Sequence, residues 1–273
     1  MSGLPYTPAV FAILSALVEE HAGLSYAAPD AAMLMDKASM RAVERGFDSL
    51  LDYYYLLRYD PEGRAELDAL TDSLVVNETY FFRELKPLVA LVETFLAPRI
   101  ARGLRPRVWS AASATGEEPL TLAMLLAERQ LLDKVEILAS DISERVLAQA
   151  RRGEFGGRSL RQRLPGYERW LEARGERASV APELVRAIEW RRINLIADAE
   201  LPDPGRPFDA ILCRNVLIYF SPATGARVVE RLSERLVPGG VLMVGVSESL
   251  LSFGTQLVCE ERGGAFFYEK VTR

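Results

Sequence analysis

Through the first 75 residues, apolar side chains return every three or four positions, the spacing of helices that bury one face. Val10, Ile13, Leu14, Leu17 and Val18 set the first stripe; Thr7-Pro8 opens it as a cap and a first-turn proline, and Gly23 stops it. A second helix is predicted from about Asp30 to Gly46, a third over Leu50–Tyr59, and a fourth from Asp60-Pro61 to near Val75. No strand-like alternation occurs before residue 76. From Arg105 the rhythm changes to short apolar runs alternating with helical stretches, which predicts a parallel sheet with crossover helices. Strands are expected at 106–111, 135–140, 188–193, 208–213 and 241–246. Leu257–Glu261 and Ala265–Lys270 then flank Gly263-Gly264, which suits a tight hairpin, so an antiparallel pair should close the sheet. Between Gly153 and Ala187 the pattern is irregular, rich in Arg and Glu and too long for a simple connection, which predicts an inserted subdomain. The expected plan is a helical domain over 1–76, a linking segment over 77–104, and an α/β domain over 105–273 carrying the insertion at about 153–187.

Charge and inventory narrow the chemistry. With 33 Lys and Arg against 38 Asp and Glu, the net charge is −5, and the chain offers no general attraction for phosphate backbones or anionic lipid. No nucleic-acid partner is expected. Cys213 and Cys259 lie in strand-like apolar runs with no ligand at metal spacing, and are read as buried free thiols of a reducing compartment. The only histidine, His21, falls near the end of the first helix and is expected at the surface, favoured by the helix dipole. A histidine base, a Ser-His-Asp triad or a zinc site is thereby disfavoured, and no metal is expected. Ala9–Val18 is apolar enough for a signal-peptide core, yet no Lys or Arg precedes it and Glu19-Glu20 follow at once. No other stretch approaches the roughly 20 apolar residues that span a bilayer, so a cytoplasmic protein without membrane insertion is expected.

In an open parallel sheet, ligands bind beyond the carboxyl ends of the strands, where strand order reverses. After the first strand come Ala111-Ala112-Ser113-Ala114-Thr115-Gly116-Glu117-Glu118-Pro119, small residues that let a ligand approach the backbone before a helix begins. This is not a dinucleotide loop: it has one glycine, and two carboxylates stand where a pyrophosphate would sit. Acids also simply favour a helix N-terminus. Asp141 ends the second strand, at the position of a ribose-binding carboxylate, and serves equally well as a cap for the helix beginning at Ser143. Asn194-Leu195 follow the third strand and offer an amide and an apolar surface to an adenine. After the fourth, Arg214-Asn215 interrupt an apolar run that continues to Tyr219-Phe220. Asn77-Glu78-Thr79-Tyr80-Phe81-Phe82-Arg83-Glu84 is the other unusual run, its polar Asn77 and Thr79 alternating as on a strand face; an interdomain linker with packed aromatics is the plainer reading.

Together, Asn-x-Thr-x-Phe-Phe-Arg-Glu, Val-Trp-Ser-Ala-Ala-x-x-Thr-Gly-Glu-Glu-Pro, Ser-Asp-Ile and Phe-Asp-Ala-Ile-x-Cys-Arg-Asn-Val-x-Ile-Tyr-Phe resemble the CheR family of chemoreceptor glutamate methyltransferases. Val237-Pro238-Gly239-Gly240 and Gly245-Val246-Ser247-Glu248-Ser249 extend the resemblance over about residues 70 to 270. It implies a class I methyltransferase, with a Rossmann-like, mostly parallel sheet ending in an antiparallel strand, preceded by a small all-α domain and carrying a small insertion. It further implies that Asn77, Thr79, Arg83, Glu118, Asp141, Asn194, Leu195, Arg214 and Asn215 line a pocket for S-adenosylmethionine, with S-adenosylhomocysteine as product. The 77–104 segment would then carry part of that site. Arg83 and Tyr219 would stand closest to the transferred methyl and the incoming carboxylate; by spacing alone Tyr219 is a core aromatic.

Such a transfer suits a chain with one peripheral histidine, because a glutamate side chain is ionised at neutral pH and needs no general base. Alignment would carry the catalysis, Arg83 holding the carboxylate and Tyr219 orienting it. The resemblance makes the partner a chemoreceptor cytoplasmic domain, met through Lys37, Arg41 and Arg45, which recur on one helix face, and through the 153–187 insertion. No glycine-containing turn of the receptor-gripping kind is matched between Gly153 and Ala187, and no tetratricopeptide or response-regulator extension is expected after Arg273. The competing readings are a methyltransferase with another acceptor and a non-catalytic S-adenosylmethionine-binding signalling module. Retention of both Arg83 and Tyr219 argues against the second.

Overall fold

The helix-period stripes of the N-terminal region and the short apolar runs after Arg105 become two compact units in a computed structural model that describes residues 3–162 and 164–271. Met1, Ser2, Arg163, Thr272 and Arg273 lie outside the described residues. One unit comprises the residues through Val76 together with Tyr219–Thr224; the other comprises Asn77–Ile218 and the residues from Gly225 onward.

In the smaller unit, α1 (Pro8–Ala22) starts where the Thr7 hydroxyl accepts the Val10 N–H at 3.3 Å and stops at Gly23, whose φ of +77° costs glycine nothing. α2 (Ala31–Glu44), α3 (Leu50–Tyr59) and α4 (Gly63–Leu74) follow. Their apolar faces meet in a core of Leu14, Val18, Leu34, Met35, Leu50, Tyr53 and Leu70. Gly63 is required by contact: a Cβ there would lie 2.3 Å from the Leu56 carbonyl oxygen, so α4 begins against the backbone of α3. Glu66 is buried in this core and paired with Arg41, accepting from Tyr53 Oη at 2.8 Å and from Arg41 at 2.9 and 2.7 Å. Arg41 also pairs with Glu44, and Arg45 with Glu62. Two of the three cations expected to face a partner are therefore already engaged by acids of the same unit. His21 departs from expectation, being 7% exposed with Nε2 2.9 Å from Asp68 Oδ1. Burial on the α4 side of its helix, with an acid to satisfy it, overrides the surface placement that the helix dipole alone suggests.

The larger unit is a seven-stranded sheet built on β1 (Arg107–Ala111), β2 (Glu136–Asp141), β6 (Ile188–Arg192), β7 (Phe208–Cys213), β8 (Leu236–Met243), β9 (Val258–Arg262) and β10 (Ala265–Glu269). Its order is β6-β2-β1-β7-β8-β10-β9, with β10 antiparallel to both neighbours and the rest parallel. This is the class I methyltransferase arrangement, a Rossmann-like sheet closed by an antiparallel pair. Gly263 and Gly264, at φ +60° and +73°, form the β9–β10 turn, both in the left-handed region that a two-residue hairpin turn demands. The crossover helices include α7 (Glu117–Glu128), α8 (Glu144–Arg152) and α10 (Pro222–Glu234). A helical stretch from Leu85 to Ala101, α5 (Leu85–Ala90) and α6 (Ala97–Ala101) joined by a π-helical turn, buries Leu88, Leu91, Val92, Phe95 and Leu96 in the same core.

Two strand expectations change. β8 runs over 236–243 rather than 241–246, because Val237-Pro238-Gly239-Gly240 is absorbed as an irregularity whose register shifts opposite Phe208 and Ala210. Beyond its end the Gly245 N–H donates to Glu248 and the Val246 N–H to Glu84, instead of to the sheet. Cys259 on β9 is exposed, not buried, since β9 is the sheet's outer strand, whereas Cys213 is fully buried. Within 153–187, β3 (Glu154–Gly156), β4 (Leu171–Arg174) and β5 (Arg177–Val180) form an antiparallel sheet of order β3-β5-β4, followed by α9 (Pro182–Arg186). Gly175, at φ +62°, makes the β4–β5 turn, so a glycine turn that the sequence pattern did not disclose is present there.

Candidate functional site

β1 lies between β2 and β7, so the chain leaves β1 where strand order reverses, with Ala111 opposite Ser140 on one side and Cys213 on the other. The loop that follows is built from left-handed residues: Ala112 at φ +58°, Ala114 at +47° and Gly116 at +92°. A Cβ on Gly116 would meet Trp190 at 2.8 Å and Ala150 at 2.9 Å. The loop is tied to β2 by Ser113 N donating to the Ser140 carbonyl at 2.8 Å and by Ala114 N donating to Asp141 Oδ2 at 2.8 Å. Ser113 Oγ, on a residue 3% exposed, finds no hydrogen-bond partner among the described residues. A buried hydroxyl left unpaired calls for an explanation, and a ligand seated on this loop of small residues would supply one. The sequence reading passed over this serine; its place between two alanines before Thr-Gly was the available signal.

Asp141, 6% exposed, also accepts the Ser143 N–H at 3.0 Å. Ser143 itself caps α8, its hydroxyl accepting from Val146 N. Asp141 is therefore the residue that joins the post-β1 and post-β2 loops, rather than the helix cap. Its own carbonyl accepts from Ile193 N at 3.0 Å, which brings the end of β6 alongside. There Asn194, 3% exposed, donates its N–H to Glu200 at 2.9 Å and accepts Ile196 N–H on its side chain at 3.2 Å, with Leu195 buried next to it. Asp141, Asn194 and Leu195 thus gather with the Ser113 loop at one edge of the sheet.

A second group centres on Arg214, whose side chain is 2% exposed. It bonds Glu84 Oε2 and Glu118 Oε2, each at 2.7 Å, and reaches the carbonyls of Arg83 and Glu84 at 3.4 and 3.3 Å. Glu118 also accepts from Ser110 Oγ at 2.7 Å. Burial pushes the Glu84 carboxyl up, but the Arg214 charge and hydrogen bonds outweigh it and hold it below the usual range. Burial likewise disfavours the Arg214 cation, and the two glutamates more than restore it. Arg214 Nε has no partner among the described residues. Glu118 and Arg214 are therefore paired with each other, and Asn215 sits beside them at φ +58°, its amide 3.4 Å from Glu84 Oε1.

The run from Asn77 makes no strand. Residues 76–80 are irregular, and 81–84 turn sharply, with Phe82 at φ +65° and Glu84 at +45°. Phe81 and Phe82 are fully buried, Phe82 N donating to Thr121 Oγ1 of α7 at 3.2 Å, so the turn is bolted to the crossover helix. Asn77 and Thr79 are half-buried, with no side-chain hydrogen bond to a described residue. Arg83 donates to the Glu78 carbonyl at 2.6 Å and lies 5.9 Å from the Tyr80 ring centre. Tyr219 belongs to the smaller unit, where its carbonyl accepts from Ser25 N at 2.9 Å.

Glu117, neighbour of Glu118, faces the insertion instead. It is 1% exposed and accepts from Ser159 Oγ at 2.6 Å and Thr115 Oγ1 at 2.7 Å. Burial pushes its carboxyl up, partly offset by the two hydroxyls. A carboxyl whose pKa is higher in the folded chain stabilises the fold below its unfolded value of about 4.3 and loses that contribution as pH rises through the folded value. Glu117→Gln should therefore gain melting temperature relative to the wild type between about pH 4.5 and about pH 7.5, a comparison that thermal melts at both values make directly.

A family model described as "CheR methyltransferase, SAM binding domain" matches residues 77–262. The chain is 36% identical to a chemotaxis protein methyltransferase of Klebsiella aerogenes over 256 residues, covering 90% of this chain and 85% of that one. It is 36% identical to chemotaxis protein methyltransferase 2 of Vibrio cholerae, covering 79% and 77%. With chemotaxis protein methyltransferase 1 of Pseudomonas aeruginosa the identity is 32%, covering 88% and 90%.

Proposed function

We propose that this chain, which belongs to the CheR methyltransferase family, methylates glutamate side chains in the cytoplasmic domain of a chemoreceptor or a related signalling protein, with S-adenosylmethionine as donor. The observation that carries the cofactor half is the post-β1 loop. Its left-handed small residues, the unpaired Ser113 hydroxyl and the Asp141 carboxylate beneath it make a polar cradle at the switch point of the sheet. Asp141 would hold a ribose diol and Asn194 and Leu195 an adenine, while Asn77 and Thr79 carry polar groups that the described residues leave unmatched. Glu118 and Arg214 would act as the charged wall of the pocket, shaped by each other. S-adenosylmethionine supplies an electrophilic methyl group when bound.

The acceptor half rests on the family and on its relatives, which are named chemotaxis protein methyltransferases. The single histidine is His21, bonded to Asp68 in the helical unit, and burial pushes the Cys213 thiol well up, so neither provides a base at the sheet edge. An acceptor that is already an anion needs none. Arg83 would hold that carboxylate and Tyr219 would orient it by hydrogen bond, so catalysis is chiefly alignment. Tyr219→Phe should lower kcat about tenfold or more while leaving S-adenosylmethionine affinity within about twofold, as expected of a group that contributes to orientation and not to cofactor binding. Of Lys37, Arg41 and Arg45, Lys37 is the one with no ion pair among the described residues, so partner contact through that face rests on it more than on Arg41 and Arg45, with the 153–187 insertion as the second contact. The test is methylation of receptor cytoplasmic domains with labelled donor, followed by mild base. Glutamate methyl esters release methanol, whereas base-stable label would place the methyl on another acceptor.

A further inference from the structure

β7 and β8 are neighbours, with Leu212 opposite Met243, so the loops that follow them emerge side by side. The first holds Arg214 and Asn215; the second holds Gly245 and Glu248. Glu248 bridges them. Its Oε2 accepts the N–H of Asn215 at 2.7 Å and of Gly245 at 2.7 Å, and its Oε1 accepts the N–H of Leu217 at 2.9 Å. Among the described residues it makes no ion pair, so backbone donors of two loops are what hold this carboxylate, and it holds them. Asn215 is held at φ +58°, the left-handed region that asparagine enters more readily than other residues with a side chain. Room is equally tight: a Cβ on Gly245 would lie 2.5 Å from Asn215 Nδ2 and 2.9 Å from Glu248 Oε2.

We infer that Glu248 is a positioning residue for cofactor binding, its carboxylate fixing Asn215 by clamping the post-β7 and post-β8 loops together; this rests on the cofactor reading above. A glutamine cannot replace it, because one oxygen becomes an NH2 group that faces N–H donors instead of accepting from them. Glu248→Gln should raise the S-adenosylmethionine Kd on the order of tenfold by calorimetry, and Asn215→Ala should raise it as well. If Glu248 acts through Asn215, the double variant binds no worse than Asn215→Ala alone, whereas a merely structural role makes the two penalties multiply. Gly245→Ala reaches the same clamp from the other loop and completes the same cycle with Asn215→Ala where Glu248→Gln does not fold. Wild-type affinity in Glu248→Gln and Gly245→Ala, or multiplied penalties in the cycles, overturns the inference while leaving the cofactor reading intact. Absence of binding by the folded wild type overturns the cofactor reading first, and the inference with it.

Discussion

Asp141→Ala should weaken S-adenosylmethionine and S-adenosylhomocysteine binding by about 100-fold or more. A carboxylate that accepts from both hydroxyls of a ribose makes two charge-assisted hydrogen bonds, each contributing about 1.5–3 kcal/mol, and each 1.4 kcal/mol is roughly a factor of ten in Kd. Part of the loss will be structural, because the same carboxylate accepts the N–H groups of Ala114 and Ser143. Two buried donors left unpaired would lower stability by roughly 1–3 kcal/mol each. Asp141→Asn separates the two contributions. It keeps one acceptor oxygen for the loop and loses the charge, so its melting temperature should fall less than that of the alanine variant while its affinity falls nearly as far. Calorimetric titration of all three proteins, alongside thermal melts, reads both quantities. A folded Asp141→Ala protein with wild-type affinity would show that the ribose is held elsewhere, and would take Asn194 and Leu195 out of the pocket with it.

The parts of the molecule legible in the sequence are those decided locally. Strands β1, β2, β6 and β7 were found within a residue or two because each is a short apolar run between clear breaks, and α1 because Thr7, Pro8 and Gly23 mark its ends. Asp141 could be placed at a strand end, but whether it capped α8 was open until Ser143 proved to hold that role. What escaped was decided by partners distant in sequence. His21 is buried because Asp68, 47 residues later, waits for it. Glu117 and Glu118 are adjacent in sequence and point to different neighbours, Ser159 of the insertion and Arg214 after β7, which no helix-terminus rule distinguishes. Ser113 and Glu248 escaped for a related reason. A hydroxyl with no partner among the described residues and a carboxylate that takes backbone N–H groups from two loops are defined by distant contacts, so the small neighbours of Ser113 and the motif around Glu248 mark where they lie and not what they do.

Arg214→Leu should remove about 3–5 kcal/mol of stability at neutral pH, the range seen when one partner of a buried ion cluster is deleted and the others are left uncompensated. Two carboxylates depend on this guanidinium, Glu84 and Glu118, each bonded at 2.7 Å. The loss should itself depend on pH, and its sign follows from Glu84. In the wild type Glu84 is held below the ordinary carboxylate range, so its contribution is present above the unfolded pKa of about 4.3 and disappears as pH falls through the lower folded value. Without Arg214, burial pushes Glu84 up against only the Val246 N–H and the Asn215 amide, so most of the downward pull is lost and the carboxylate favours the folded chain less as pH rises. The stability difference between wild type and variant should therefore be widest near neutrality and narrow as the pH approaches about 4.5. Urea denaturation at the two pH values measures this. Replacing the acids as well, in Arg214→Leu with Glu84→Gln and Glu118→Gln, should recover much of the loss at neutral pH, since uncompensated charge, not missing volume, is the larger penalty. The triple variant should still bind S-adenosylmethionine poorly. Stability and binding part company there because the neutral cluster can fill the same space without presenting the charged wall or the post-β7 loop in the same way. An Arg214→Leu protein as stable as the wild type at both pH values would show instead that the network is maintained for the ligand alone.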